Sequence, residues 1–137
     1  MRSKGIRYAV ALAVALGVSA CGAQGSSQAG AARAAAARFL AAQSTDPTSA
    51  CALLAPKTLE SVQQDGPCPE TLTQDLPPQQ DSSSNPRSVE VYGKDAIARF
   101  EQDTVFLSLF RDGWRVTAAQ CQPAGERRPY DCKVEGK

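Results

Sequence analysis

The sequence predicts an α+β fold, with N-terminal helices packed on an antiparallel sheet of four to five strands. Three observations lead there. An alanine-rich segment after residue 30 carries apolar residues at helical spacing. From residue 88 onward, five short runs are rich in β-branched and aromatic residues, and turn residues separate the first four. Helices first and a strand meander afterwards place the helices together on one face of a sheet.

In chain order, the first element is a targeting segment. Arg2, Lys4 and Arg7 occur without an acid in MRSKGIRY, and AVALAVALGVSA over residues 9–20 is uncharged. That is a basic region followed by an apolar one, as in an export signal. A membrane-spanning helix needs about 20 apolar residues, so this shorter run reads as a cleaved signal peptide over residues 1–20. Val18-Ser19-Ala20-Cys21 resembles the lipobox of bacterial lipoproteins, with valine where that family most often has leucine. The resemblance implies a diacylglyceryl group on the Cys21 sulfur, cleavage before Cys21, and acylation, such as palmitate, at the new N-terminus. Two acyl chains hold a protein stably on a bilayer, where one does so marginally. The implied location is the extracytoplasmic face of the cell membrane.

Residues 22–30, GAQGSSQAG, contain no large apolar side chain and read as a flexible tether. As a Gly/Ser-type coil it would span about 16 Å. The single domain is expected to begin at residue 31 and run to residue 137. Ala32, Ala35, Ala36, Phe39 and Ala42 fall on one helical face of AARAAAARFLAAQ, residues 31–43. Asp46-Pro47 predicts an N-cap followed by proline at the first helical position, opening a short helix through Leu54. Pro56 restarts it, and Leu59 and Val62 continue the apolar spacing. DGPCP over 65–69 predicts a turn, with ETLTQDL adding one helical turn. Residues 77–88, PPQQDSSSNPRS, hold no large hydrophobe and read as a disordered-like connector, since so little apolar surface cannot offset ordering entropy. The strands are expected at 88–92, 96–101, 104–110, 114–121 and 130–134. Arg111-Asp112-Gly113 predicts a hairpin turn, with the glycine supplying positive φ.

Removing Arg2, Lys4 and Arg7 from fifteen basic residues leaves twelve against fourteen acids, a net charge of −2 in the mature chain. This is not the basic footprint of a nucleic-acid binder, so no nucleic-acid partner is expected. Histidine is absent from the sequence, which removes the commonest general base and metal ligand. The alanine-rich, lysine-poor composition resembles that of proteins from bacteria with GC-rich genomes, such as actinobacteria.

Cys51, Cys68, Cys121 and Cys132 allow three pairings, among which sequence does not choose. Pairing Cys51 with Cys68 and Cys121 with Cys132 is preferred because each closes a short local loop. Oxidised cysteines fit a compartment outside the cytoplasm. A zinc site would need clustered thiolates such as C-x-x-C, and none is present, so neither metal nor cofactor is expected.

Polar chemistry is sparse. Glu101, Asp103 and Asp112 lie at turns, where solvated acids are the ordinary reading. Ser82, Ser83 and Ser84 have neither a nucleophile-elbow sequence nor a histidine to activate them. Glu126-Arg127-Arg128 reads as a solvated loop that could meet anionic headgroups. Phe106, Phe110 and Trp114 are expected to pack in the core or on the sheet face.

The helix-then-meander order and the stretch DGWRV resemble small cystatin-like, nuclear-transport-factor-like domains of actinobacterial lipoproteins. The resemblance covers residues 31–135 and implies a curved sheet wrapped around a helix over a cone-shaped cavity. Some members are enzymes using Asp/His or Tyr/Asp groups, and others bind ligands or partners. Without histidine, this chain is expected to be a non-enzymatic, lipid-anchored envelope lipoprotein that binds or assembles with another envelope protein. The alternative is a small-molecule-binding or weakly catalytic cavity, with Tyr92, Glu101 and Asp103 as its polar groups.

Overall fold

A computed structural model of the chain describes residues 21–74, 84–126 and 129–137, with side chains from Ser27 onward in the first segment. The signal peptide expected over 1–20, the side chain of Cys21, residues 77–83 of the connector and the Arg127-Arg128 pair lie outside the described residues. Four helices precede five strands: α1 (Cys21–Thr45), α2 (Pro47–Ala52), α3 (Pro56–Gln64), α4 (Cys68–Thr73), then β1 (Ser88–Tyr92), β2 (Asp95–Arg99), β3 (Thr104–Phe110), β4 (Gly113–Pro123) and β5 (Tyr130–Glu135). The strands form one open antiparallel sheet in the order β1-β2-β3-β4-β5. The α+β class read from the sequence is the class observed.

The alanine stripe of α1 does what its spacing requires. Ala32, Ala35, Ala36 and Phe39 are buried, with Ala42 partly so. Small side chains let the helix backbone approach the sheet closely, and Phe39 supplies the one large ring on that stripe. Gln43 is buried beside them, and its Nε2 has no hydrogen-bond partner among the described residues.

Residues 22–30 depart from the tether expectation, because α1 is continuous from Cys21. Glycine and serine cost helix propensity. Propagation from an existing helix is far easier than nucleation, however, and the alanine run supplies the nucleus. Gln28 also docks the segment, its Oε1 accepting from Trp114 Nε1 at 3.2 Å.

Asp46 caps α2 as expected, accepting from the Ser49 amide at 3.3 Å, with proline following it. α4 begins at Cys68, one residue before the turn sequence was expected to end. The last part of the connector is anchored too: Pro86 is buried, and Arg33 Nη1 donates to its carbonyl at 2.5 Å. Arg87 donates its amide to the Arg99 carbonyl at 2.7 Å and pairs with Glu101 at 2.8 Å. Polar pairing orders this stretch, which its lack of apolar residues could not reveal.

One face of the sheet carries Ala96, Ala98, Val105, Leu107, Trp114, Val116, Ala119 and Val134, all buried. The register shifts between Phe106 and Leu107, which pair with Ala118 and Val116, so Thr117 is the extra residue of a bulge on β4. Its carbonyl accepts from Thr58 Oγ1 at 2.9 Å and from the Gly136 amide at 3.4 Å. Beside the bulge, Val116 donates to the Leu53 carbonyl at 2.9 Å and accepts from the Ala55 amide at 2.7 Å. The α2–α3 linker therefore bridges to the β4 edge through Leu54. Gly113, at φ 116, closes the β3–β4 hairpin in the left-handed region the turn sequence called for.

Phe106 and Phe110 do not bury against helices. Strand alternation sends Val105, Leu107 and Leu109 inward and these two rings to the opposite face. There Phe106 meets Tyr130 edge-on, with ring centroids 5.0 Å apart.

Candidate functional site

The three polar residues proposed to line a cavity do not converge. Tyr92 ends β1, is 58% exposed, and donates its hydroxyl to Glu90 two residues back. Glu101 and Asp103 lie in the β2–β3 turn, at the other end of β2 from the β1–β2 turn. A strand of this length separates the two groups by about 17 Å. Glu101 is exposed and occupied by Arg87.

Asp103 departs from the expectation of a solvated turn acid. The Phe100 amide donates to its carbonyl at 2.8 Å, closing the turn. Its carboxylate oxygen Oδ1 accepts from the Cys121 amide at 3.0 Å. The Gln120 and Thr104 amides are also directed at this carboxylate, yet burial outweighs them and pushes its pKa up to about 6. Gln120 itself sits at φ 55, a left-handed conformation that costs a non-glycine residue energy. The carboxylate thus gathers successive amides where β4 departs from regular geometry. No sequence signal marks Gln120, because its conformation follows from long-range pairing.

This burial has a measurable consequence. An unfolded aspartate titrates near about 3.9. Since the folded value lies above it, the folded chain retains a proton that the unfolded chain releases. Stability from that proton is complete below about pH 4 and is lost as pH rises through about 6. Asp103→Asn resembles the neutral form and escapes the loss. Its stability relative to the parent should therefore increase from pH 4 to pH 7 by on the order of 2–3 kcal/mol. Urea unfolding at several pH values checks this, and a pH-independent difference would refute it.

Cys51 is bonded to Cys68, and Cys121 to Cys132. The first bridge joins α2 to α4, with both residues buried; the second joins register partners on β4 and β5. These are the two local loops, and Cys21 stands outside both.

Shallow depressions mark the surface among the described residues. One, of about 190 Å³, lies among α3, α4 and β5 and is lined by Asp65, Gln74, Gln120, Lys133 and Glu135. Another, of about 270 Å³, is mainly apolar and includes Pro56, Thr117 and Phe110. Among the described residues there is no group of three or more His, Cys, Asp or Glu placed to hold a metal ion. No helix among them is long and apolar enough to cross a membrane.

The described residues thus form an α+β domain, with four helices preceding a five-stranded antiparallel sheet and two disulfides fastening it. No protein-family model matches the chain, and neither a curated protein nor a solved structure matches it.

Proposed function

We propose that the chain is a lipid-anchored envelope lipoprotein whose disulfide-fastened domain is a non-enzymatic binding or assembly module. The observation that carries the reading is Val18-Ser19-Ala20-Cys21 placed directly after a basic and then an apolar segment. Two disulfides support it, since such bonds persist outside the reducing cytoplasm. With four cysteines paired, Cys21 remains for modification. The absence of histidine and the separation of Tyr92 from Glu101 and Asp103 weigh toward binding rather than catalysis. Another envelope protein is the proposed partner.

Cys21→Ser tests the anchor. The variant is expected to leave the membrane fraction and to lose incorporation of a fatty-acid analogue. A variant that stays membrane-bound and labelled would overturn the reading.

A further inference from the structure

The β1–β2 turn, with Gly93 and Lys94, and the β3–β4 turn, with Arg111 and Asp112, lie side by side at one end of the sheet. The Leu109 amide donates to the Lys94 carbonyl at 2.7 Å across this end. Among the described residues, the large hydrophobic side chains that remain exposed are Tyr92, at 58%, and Phe110, at 40%. Both belong to this end. The register pairs Tyr92 with Asp95 and Asp95 with Ser108, so Tyr92 and Phe110 share the sheet face opposite the helices. Strand spacing puts them about 12 Å apart.

The direction of α1 leads to the same place. Gln28 reaches Trp114, one residue from the start of β4 and beside the β3–β4 turn. Arg33, farther along α1, reaches Pro86, just before β1 and at the opposite end of the sheet. The helix therefore runs away from the aromatic end, and its first turns project beyond it. Cys21 lies about 10 Å up the helix axis from Gln28. A continuous helix transmits orientation, where a coil would not.

The charges here are Lys94, Arg111 and Arg115 against Asp95 and Asp112; Glu90, which accepts from Tyr92, is paired with Arg99, and Lys57, beside Phe110, is paired with Glu60. Asp112 is paired with Arg115, and Asp95 accepts from Ser108 Oγ at 2.5 Å. Lys94 and Arg111 have no ion-pair partner among the described residues, which leaves the corner net positive. Amphipathic aromatics settle at headgroup level, and basic side chains are drawn to anionic lipid.

We infer that the sheet corner bearing Tyr92 and Phe110 rests on the bilayer, with Lys94 and Arg111 against anionic headgroups. The inference rests on the lipid-anchor reading above. It adds that the domain lies down on the membrane in one orientation, with the depression beside Phe110 directed toward lipid.

The full chain carrying Phe110→Trp, purified from membranes, provides the test. It is reconstituted into vesicles of phosphatidylcholine and phosphatidylglycerol with brominated acyl chains. The only native tryptophan, Trp114, is buried and serves as the background in the parent chain. The added indole is expected to be quenched about twofold or more, and less in vesicles of phosphatidylcholine alone or after Lys94→Glu with Arg111→Glu. Tyr92→Trp gives an independent second reporter with the same expected result. If the protein floats with vesicles but neither reporter is quenched, the orientation is refuted and the anchor stands. Failure to float refutes both. Quenching unaffected by the charge reversals overturns the headgroup contact. Reporters shielded in native membranes but unquenched in lipid-only vesicles would assign the corner to a protein partner instead, which also overturns the inference.

Discussion

Replacing Phe39 with alanine should lower the unfolding free energy by about 3–5 kcal/mol. Phe39 is fully buried, and the residues that share its stripe on α1 are alanines and Gln43, with Leu40 buried next to it. The alanines have no side chain able to swing into the vacated space, and Gln43 would carry an unpaired amide into an apolar site, so the cavity would persist. The cost then combines the lost transfer energy of the ring with the cavity left behind. Domains of this size are stabilised by about 5–15 kcal/mol in total, so the variant should approach the limit of folding. Denaturant titration of parent and variant measures the difference. A loss below about 1.5 kcal/mol would mean that the helix and sheet close the gap, contrary to the packing described.

Removal of the Cys51–Cys68 bridge, by replacing both cysteines with alanine, should cost about 3 kcal/mol and lower Tm by about 10 °C or more. The sequence separation of 17 residues sets the entropic part. Packing adds to it, since both cysteines belong to the core. α2 and α4 have six residues each, too few to persist as isolated helices. The bridge fixes each against the other. Cys121–Cys132 closes a loop of similar length, but the β4–β5 ladder already aligns its two strands. Losing the first bridge should therefore reduce helical circular dichroism more than losing the second. Equal effects on helicity would contradict the distinction.

Much of this architecture was legible in the sequence because it depends on local signals. The alanine stripe, the Asp46-Pro47 cap and the strand runs each carry their own periodicity or turn chemistry, and the elements follow them closely. Where the reading departed from the structure, distant groups decide the outcome. Nothing in GAQGSSQAG indicates that Gln28 will meet Trp114. A connector rich in serine and proline gives no sign that Arg33 will hold Pro86. Asp103 looks like an ordinary turn acid until β4 folds its amides over it. TVFLSLF is apolar at nearly every position, so alternation alone could not tell which aromatic rings face the helices. Of the candidate site, the two disulfides were legible, because each closes a local loop; grouping Tyr92 with Glu101 and Asp103 required knowing which sheet end each occupies.

The bridge between Leu54 and Val116 also bears on the order of assembly. The sheet is a succession of hairpins, each closing over a short span of chain, so it can zip up locally and fast. The attachment of the helical half to the sheet has no comparable shortcut. The linker must wait for a partner sixty-two positions downstream, and the bulge carbonyl of Thr117 must wait with it. A chain emerging N-terminus first can therefore fasten α2 to α4 through Cys51 and Cys68, but cannot fasten the linker to the sheet until β4 is available. The linker that joins the two halves is thus a contact that closes only late in synthesis.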